Sequence, residues 1–267
     1  CPERVDPGNK IWEVSNIPRV VGAISNEGLD KVTKFYETIL SGKIKPLSSI
    51  ESAEMVKVYE NSFRAVSIAF ANEMAITVQN FDLDIKEVID AVKTKPFGLD
   101  LCYPGPGVGG HCIPVDPFYL IAEANKKGFD PRFLRNAMRV NNFMPEYTVQ
   151  LLTHALNDIG KSVRGCKVGV LGVSYKKNVG DVRESPSLEI IERLQRLGAD
   201  LKIVDPHVEK YSNASINEVM GSDAVLLLTN HSEFMALDYS NVPVVIDGKN
   251  VLDKSQMNGL YRGIGRS

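Results

Sequence analysis

Residues 166–173 read Cys-Lys-Val-Gly-Val-Leu-Gly-Val, a nearly continuous apolar run that is typical of a buried β-strand. An amphipathic helix is predicted over Ser187–Leu197, closed by Gly198, and a second apolar strand follows over Leu201–Val204. A strand, a helix and another strand in this order form a right-handed βαβ unit, in which the two strands are parallel. The run at 166–173 therefore indicates the fold class, which is α/β with a doubly wound, Rossmann-like parallel sheet.

The same alternation of strands and helices continues along the sequence. A short helix is predicted at Ile216–Met220, followed by a strand at Asp223–Thr229 and a final strand at Val242–Ile246. The pattern changes from helical to strand-forming near Lys161–Arg164. Residues 161–267 are therefore predicted to form one domain.

Residues 26–160 are predicted to form a helical domain. Its strongest signal is a helix that begins at a predicted capping box, Ser48-Ser-Ile-Glu51, and continues without Gly or Pro to about Asn80. About thirty residues at ~1.5 Å each would make a rod of roughly 45 Å. A rod so long and so apolar needs partners on more than one face, which suggests a homodimer formed through it. Other helices are predicted at Glu27–Leu40, Asp84–Val92, Phe118–Lys127, Pro131–Asn141 and Pro145–Ile159, and short strand-like runs at Pro18–Ile24 and Ile44–Leu47.

The composition indicates which binding partners and which cellular compartment are expected for the chain. The 267 residues carry 31 Lys and Arg against 33 Asp and Glu, a net charge of −2. A near-neutral chain without blocks of like charge is not typical of proteins that bind nucleic acids or anionic membranes, and no apolar run approaches the ~20 residues of a membrane span. The four cysteines are scattered without a CxxC pair, which predicts reduced thiols in a cytoplasmic protein.

The segment Gly169-Val-Leu-Gly172 stands where a dinucleotide-binding fingerprint would follow the first strand of such a sheet. The third glycine of that fingerprint is missing, and Tyr175 lies near its place. Packing of a helix on the strand would explain the two glycines equally well. A nucleotide is favoured by Asp205 at the end of the next strand, where a carboxylate can meet a ribose or a uridine edge. It is also favoured by a helix start near Ser185-Pro186, whose N–H groups could bind an anion.

A loop rich in glycine and proline surrounds Cys112. Tyr103–Pro117 contains four Gly and four Pro in fifteen residues, and both residue types favour unusual backbone angles. Glycines let a ligand approach the backbone closely, and Asp116 stands four residues after Cys112. A carboxylate near a thiol suggests acid–base chemistry around a thiolate nucleophile. The alternative is that Cys112 is a small buried residue of a structural loop.

Lys57 and Asn61 are about one turn apart on the predicted long helix and so share a face. A cation and an amide donor on one face could stabilise an oxyanion, and the alternative is a solvated polar stripe beside Glu54. His111 has no second ligand at metal-binding spacing, so no metal site is predicted.

Four ordered segments resemble the UDP-glucose/GDP-mannose dehydrogenase family. The segment Gly105-Pro-Gly-Val-Gly-Gly-His-Cys-Ile-Pro-Val-Asp116 is similar to its catalytic loop, in the form of the branch that oxidises UDP-N-acetylhexosamines. Cys1–Gly8 is similar to the end of the family's N-terminal NAD domain, and Glu54–Asn61 to the start of its central helix. Tyr175–Pro186 is similar to the loop that opens its C-terminal domain, so the resemblance covers nearly the whole chain.

The resemblance implies a four-electron oxidation of a sugar C6 alcohol to a carboxylate with two NAD⁺, and UDP-N-acetyl-D-mannosamine as the expected substrate. Cys112 would attack the C6 aldehyde to give a thiohemiacetal and then a thioester. Lys57 and Asn61 would bind the C6 oxyanion. Asp116 would assist Lys57 and the hydrolytic water, and Glu3 would help to position water or substrate.

The resemblance also implies ligand contacts, at Gly109, Lys176 and Lys249 for the UDP-sugar and at Arg183 for the NAD pyrophosphate. Lys249 stands where the family usually has Arg, and a lysine cannot make the bidentate contact of a guanidinium.

The family's GxGxxG fingerprint is expected before the segment that Cys1–Gly8 resembles, and this sequence does not contain it there. The resemblance therefore implies that residues 1–25 are a remnant of the NAD domain and that this chain alone is inactive. UDP-glucose or UDP-N-acetylglucosamine 6-dehydrogenase is the nearest alternative. A catalytically silent module for UDP-sugar binding and dimerisation is another.

Overall fold

The computed structural model of the chain describes residues 1–6 and 9–266. The two internal residues left out belong to the segment that resembles the end of an NAD domain. The chain forms two compact units, Cys1–Phe63 and Arg64–Ser267. One helix, α2 (Ile50–Gln79), begins in the first unit and ends in the second. The predicted domain boundaries do not coincide with this division, and they stay predictions.

The first unit contains a short parallel pair of strands joined by a helix. β1 (Arg19–Val21) pairs with β2 (Ile44–Pro46), and α1 (Asn26–Ile39) connects them. Both strand-like runs and the helix are therefore confirmed, although β1 is shorter than predicted. It ends next to Gly22, where a Cβ would stand only 2.4 Å from the carbonyl oxygen of Ser49.

The helix α2 is 30 residues long, so at ~1.5 Å per residue it spans about 45 Å, as predicted. Its first turn is capped by Ser49, whose hydroxyl accepts a hydrogen bond from Ser52 N at 3.1 Å. The predicted capping box of Ser48 and Glu51 is therefore wrong by one residue, because two adjacent serines compete for the cap. No helix in the described part of the chain, α2 included, is both long and apolar enough to cross a membrane.

The helix α4 (Asp116–Lys126) is followed by α5 (Arg132–Asp158), a single helix where two were predicted. The second predicted helix starts at Pro145, and a proline inside a helix removes a helical hydrogen bond. In the structure α5 continues through Pro145, which is buried next to buried Met144. Tertiary packing around the proline therefore outweighs the ~3 kcal/mol that a proline costs inside a helix.

The second unit contains a five-stranded sheet. Its strands are β3 (Lys167–Leu171), β4 (Asp200–Val204), β5 (Ala224–Leu227), β6 (Val244–Asp247) and β7 (Leu260–Gly263). They are all parallel, in the order β4-β3-β5-β6-β7, which confirms the predicted doubly wound parallel sheet. The prediction that Val242–Ile246 is the final strand is wrong, because the short, partly polar segment of β7 gives little strand signal in the sequence.

Apolar side chains cover both faces of the sheet. On one face Val168 and Val170 of β3 pack with Leu152 of α5 and with α6 (Pro186–Leu197). On the other face, residues of β3 to β6 pack with α7 (Ile216–Met220). Both faces are thus closed by packing, and the carboxyl ends of the strands are where open α/β sheets bind their ligands.

The strand order reverses between β3 and β5, and such a reversal marks the usual ligand crevice. Gly172 follows β3 with φ of +92°, and a Cβ there would stand 2.4 Å from the Cβ of Thr229, which follows β5. A Cβ on Gly169 would instead stand 2.7 Å from Val219 of α7. Helix packing therefore explains Gly169, and the contact between two strand ends explains Gly172. The next helix begins only at Pro186, so the tight turn of a dinucleotide fingerprint is absent from this connection.

The segment after β7 returns to α3 (Ile85–Val92). Arg266 Nε donates to Asp84 Oδ2 at 2.8 Å, and Ile85 N donates to Gly265 O at 3.0 Å. Arg266 and Asp84 are 182 positions apart in the sequence. The sheet and the helical part of the second unit are thus tied together by a long-range ion pair and a backbone hydrogen bond.

We predict that Gly172→Ala lowers the free energy of unfolding by about 2–4 kcal/mol, because the added methyl group would clash with Thr229 and alanine is strained at positive φ. Urea denaturation followed by circular dichroism measures this. Gly165→Ala is the matched control, since Gly165 has φ of +76° and no atom within 4 Å of an added Cβ. The control should lose only about 1 kcal/mol. Equal losses in the two variants would contradict the role given to Thr229.

Candidate active site

Buried amide hydrogen bonds fix the start of the Gly/Pro loop. Gly105 N donates to Asn72 Oδ1 at 2.9 Å, and Asn72 Nδ2 donates to Asn141 Oδ1 at 3.0 Å. Asn141 Nδ2 in turn donates to Ala65 O at 2.9 Å. Asn72 and Asn141 are 0% and 2% exposed, so these bonds do not compete with water. The loop is therefore anchored to α2 and α5 through polar groups that must stay paired.

The glycines of the loop lie directly against the segment between β3 and α6. A Cβ on Gly109 would stand 2.4 Å from the Cβ of Tyr175. Gly110, with φ of +94°, donates its N–H to Arg183 O at 2.9 Å. The sequence predicted that a ligand would approach the backbone closely at these glycines. In the structure, the segment between β3 and α6 makes this close approach.

Cys112 is half-buried in the turn that leads into α4. Its carbonyl oxygen accepts hydrogen bonds from Val115 N at 3.0 Å and from Asp116 N at 2.8 Å, and Asp116 is the first residue of α4. The Sγ atom lies 3.7 Å from Nδ1 of the exposed His111. One turn ahead of α4 thus brings together a thiol, an imidazole and a carboxylate.

Disulfides and metal sites are the other structures that thiols and carboxylates can form in proteins. All four cysteines are free. Within residues 1–6 and 9–266, no group of three His, Cys, Asp or Glu side chains is placed to bind a metal ion.

Arg183 and Lys176 lie on the loop between β3 and α6. The Arg183 guanidinium is bound by Asp181, with Nε to Oδ1 at 3.0 Å and Nη2 to Oδ2 at 2.6 Å. These hydrogen bonds raise the pKa of Arg183 and lower the pKa of Asp181, and Cys112 contributes electrostatically to the shift at Arg183. Lys176 is half-buried. An exposed cation, Arg183, therefore lies within electrostatic reach of the Cys112 turn.

Asp205, at the carboxyl end of β4, is engaged inside the protein and is 1% exposed. Its Oδ2 accepts hydrogen bonds from Val173 N at 2.7 Å and Ser174 N at 2.9 Å, and its Oδ1 accepts one from His207 N at 2.9 Å. Burial raises the pKa of Asp205, but these hydrogen bonds and one from His231 outweigh it and bring the pKa well below its usual range. The expectation that Asp205 meets a ribose or a uridine edge is wrong, because its carboxylate is buried and bound by donors of the protein itself.

Lys249 lies beside the start of the Gly/Pro loop, since its Nζ is 3.8 Å from a Cβ placed on Gly105. Burial lowers the pKa of Lys249 to about 8, and the Asp247 carboxylate opposes part of this shift. Asp247 is itself fully buried, and burial raises its pKa even though Leu252 N and Lys249 N donate to its carboxylate. A cation is therefore present at this position, and its charge is partly destabilised by its surroundings.

Three predicted site residues lie in the first unit. Lys57 and Asn61 share one face of α2, and Asn61 is 8% exposed. Glu3 accepts hydrogen bonds from Arg19 Nη1 at 3.0 Å and from Val5 N at 2.8 Å. Burial raises the pKa of Glu3, but these bonds outweigh it and lower the pKa overall. The other six predicted residues lie in the second unit: Gly109, Cys112, Asp116, Lys176, Arg183 and Lys249.

Comparison with known proteins assigns the chain to a family. The profile of the UDP-glucose/GDP-mannose dehydrogenase family, central domain, matches residues 51–143, and the profile of that family's UDP binding domain matches residues 169–254. The chain belongs to this family. The first match contains most of α2 and the Cys112 loop, and the second contains the sheet from Gly169 through β6.

Individual relatives agree with this assignment. A UDP-N-acetyl-D-mannosamine dehydrogenase of Pyrococcus horikoshii is 33% identical, over 100% of this chain and 64% of that protein. A solved structure described as UDP-D-ManNAc dehydrogenase from the same organism has a TM-score of 0.92 at 33% identity, covering 99% of this chain and 64% of that one. A structure of NDP-N-acetyl-D-galactosaminuronic acid dehydrogenase from Methanosarcina mazei Go1 has a TM-score of 0.91 at 30% identity, covering 100% and 62%. The chain thus spans less than two thirds of the length of these relatives.

Sequence reasoning did not identify two buried polar features, the Asn72–Asn141 pair and His231. Asn72 interrupts an otherwise apolar, alanine-rich stretch of the long helix. A buried amide must find a partner, so that interruption is a signal that could have revealed the pair. His231 follows a strand and offers no comparable local signal, because its partners come from two other loops.

We predict that Asn72→Ala lowers the free energy of unfolding by about 1–3 kcal/mol, since it leaves Gly105 N and the Asn141 amide without their partner. Hydrogen exchange in residues 103–110 should become faster at the same time. Asn142→Ala is the matched control at an exposed neighbouring position and should change stability by less than about 0.5 kcal/mol. Equal effects of the two substitutions would show that the amide pair does not anchor the loop.

We predict that stability rises between about pH 8 and pH 10 through Lys249. Its pKa is about 8 in the folded chain against an ordinary value of 10.5, so the unfolded state binds more protons in this range and unfolding becomes less favourable as pH rises. Relative to Lys249→Met, the free energy of unfolding of the native chain should increase by about 1–3 kcal/mol across this range. Parallel pH profiles of the two proteins would contradict the shifted pKa.

Proposed function

We propose that the whole protein is an NAD-dependent nucleotide-sugar 6-dehydrogenase that oxidises the C6 alcohol of UDP-N-acetyl-D-mannosamine to the carboxylate. The observation that carries this proposal is the match of the chain to the family's central and UDP-binding domains, with Cys112 in the turn that leads into α4. The Pyrococcus horikoshii relative supports the choice of sugar. UDP-glucose, UDP-N-acetylglucosamine and an N-acetylgalactosamine nucleotide are the alternative substrates, the last because of the Methanosarcina mazei protein.

NAD⁺ is the cofactor that the family implies, and the residues of the second unit fit it in part. Asp205 is not accessible to its ribose, because the residue is 1% exposed and hydrogen-bonded within the protein. Arg183 keeps an exposed guanidinium, with side-chain exposure of 62%, which fits a pyrophosphate. We propose that Arg183 contacts the pyrophosphate and that the main NAD domain is separate from the two matched domains. When bound, NAD⁺ accepts a hydride from C6 in each of two oxidations.

Cys112 is proposed to be the nucleophile. Its thiolate adds to C6 of the aldehyde, and the aldehyde oxygen becomes the oxyanion of a thiohemiacetal. The second oxidation leaves C6 as a thioester of Cys112. Water then adds to the thioester carbon, the C–S bond breaks, and the sugar carboxylate and the free thiol are released.

The other proposed roles follow from residue chemistry and from the family resemblance. Lys57 and Asn61, on one face of α2, donate to the C6 oxyanion. Asp116, one turn from Cys112, accepts the proton of the hydrolytic water, and Glu3 helps to position water or substrate. Gly109, Lys176 and Lys249 are proposed to contact the UDP-sugar.

The test is a substrate panel followed by NADH formation. The whole protein should form two NADH per UDP-N-acetyl-D-mannosamine and discriminate against the other UDP-sugars. The 267-residue chain alone should bind the UDP-sugar without forming NADH. UDP-sugar binding with no NADH from the whole protein would favour the alternative of a silent binding module.

Cys112→Ala should lower the rate of carboxylate formation at least about a thousandfold, because the covalent intermediate cannot form. Cys112→Ser should accumulate an ester adduct, which mass spectrometry of the protein detects. Cys102→Ser is the control, because Cys102 is a second half-buried thiol near the same loop. This variant should keep its activity. One NADH per sugar in the native protein, or full turnover by Cys112→Ala, would exclude the thioester mechanism.

We also propose a homodimer formed through α2. Met55, Tyr59 and Phe63 recur every four residues and are 48%, 68% and 55% exposed, so they form one apolar stripe on this helix. Tyr59→Glu should convert the dimer to monomer in sedimentation experiments, because it places a charge in the stripe. Lys34→Glu, at an exposed position of α1, should leave the dimer intact. A native chain that is monomeric at micromolar concentration would exclude the proposal.

A further inference from the structure

His231 is fully buried after β5 and uses both ring nitrogens. Nδ1 accepts the backbone N–H of Asn178 at 2.9 Å. Nε2 lies 3.2 Å from Asp205 Oδ2 and 3.0 Å from Ser174 Oγ. Because Nδ1 acts as an acceptor, the ring proton is carried on Nε2 and points to the carboxylate. The imidazole thus connects the end of β4 to the loop that follows β3.

Asn178 is fixed by more than its backbone. Its Nδ2 donates to Ser232 Oγ at 2.9 Å, and its Oδ1 accepts from Ser232 N at 2.9 Å. Its φ is +57°, a left-handed conformation that is uncommon for a residue other than glycine. Such a conformation persists where the surroundings determine it, and here three hydrogen bonds to residues 231 and 232 do so.

The same loop meets the Cys112 loop. Arg183 O accepts the N–H of Gly110, and Tyr175 lies against Gly109. The start of the loop is fixed independently, since Ser174 N and Ser174 Oγ both donate to Asp205 Oδ2. His231 therefore contacts Asp205, which fixes the start of the loop, and also binds Asn178 in the middle of the loop.

We propose that His231 is a positioning residue: through its hydrogen bond with Asn178 it sets the conformation of residues 174–185, which orients Lys176 and Arg183 and receives Gly110 of the Cys112 loop. The ligand roles of Lys176 and Arg183 rest on the proposed function, whereas the hold on the loop does not. The competing explanation is that His231 only fills space in the core beside Phe234, with which its ring makes an edge contact at 5.5 Å.

Two substitutions separate the nitrogens. Asparagine can place its side-chain oxygen near the position of Nδ1, and glutamine can place its amide nitrogen near the position of Nε2. His231→Gln should therefore lose the acceptor for Asn178 N and increase hydrogen exchange in residues 174–185 by roughly tenfold or more. His231→Asn should keep exchange in this segment within about threefold of the native chain. Both are measured on the 267-residue chain, with global unfolding followed in parallel.

A role in filling the core predicts a different result. Both variants would then lose stability, and exchange would rise throughout the second unit in proportion. That outcome, or unchanged exchange in His231→Gln, would overturn the proposal. The native chain provides a test that needs no variant, because ¹⁵N-histidine NMR should show the Nε2–H form of His231 and a protected Asn178 amide. The Nδ1–H form, or a rapidly exchanging amide, would also overturn it.

The affinity for UDP separates this inference from the proposed function. By calorimetry, His231→Gln should bind UDP at least about fivefold more weakly than the native chain, and His231→Asn should bind it with nearly native affinity. Equal UDP affinities for His231→Gln and the native chain would overturn the link from the loop to the ligand. Absence of UDP binding by the native chain would count against the proposed function, and the exchange and tautomer results would still decide the role of His231.

Discussion

The contact between two loops is the constraint on which the rest of the site depends. Gly110 N–H bonds to Arg183 O, and Gly109 lies so close to Tyr175 that any side chain at position 109 would collide with it. This contact joins the loop that carries Cys112 to the loop between β3 and α6 of the five-stranded sheet. The Cys112 loop is also anchored by the buried Asn72–Asn141 pair. The loop after β3 is also anchored by Asp205 and its partners. The glycines, the buried amides and the buried carboxylate are thus parts of one arrangement that determines where the thiol stands relative to Arg183.

Features that depend on neighbouring residues could be predicted from the sequence, and features that depend on distant partners could not. The strand β3, the long helix and the turn around Cys112 follow from local patterns of apolar residues, glycine and proline. The continuous α5 was missed because the tolerance of Pro145 depends on packing from other elements, to which local propensity is blind. Asp205 was misassigned for a related reason: its place at a strand end is visible in the sequence, but its partners include N–H groups of the loop after β3 and the His231 ring, which are distant in the sequence. The candidate site residues were named mainly through family resemblance, and their side-chain partners required the structure.

The lysine at position 249 gives this chain a property that an arginine at the same position would not have. A guanidinium remains charged at any pH a protein experiences, whereas the pKa of Lys249 is lowered to about 8 by burial. The protonation of Lys249, beside the Gly/Pro loop, therefore responds to small changes in the charges around it. A bound anion would favour the protonated form and so bind more strongly below this pH than above it.

The ion pair between Arg266 and Asp84 has a consequence for how the second unit forms. A contact between residues 182 positions apart closes a very large loop, and it contributes to stability only after the intervening sheet has ordered. Parallel strands likewise pair only after their crossover connections have been made, so the topology is dominated by distant contacts and is expected to form slowly. During synthesis on the ribosome, α3 emerges long before its partner Arg266. The α3 region therefore has to wait, without its final ion pair, until nearly all of the second unit has been made.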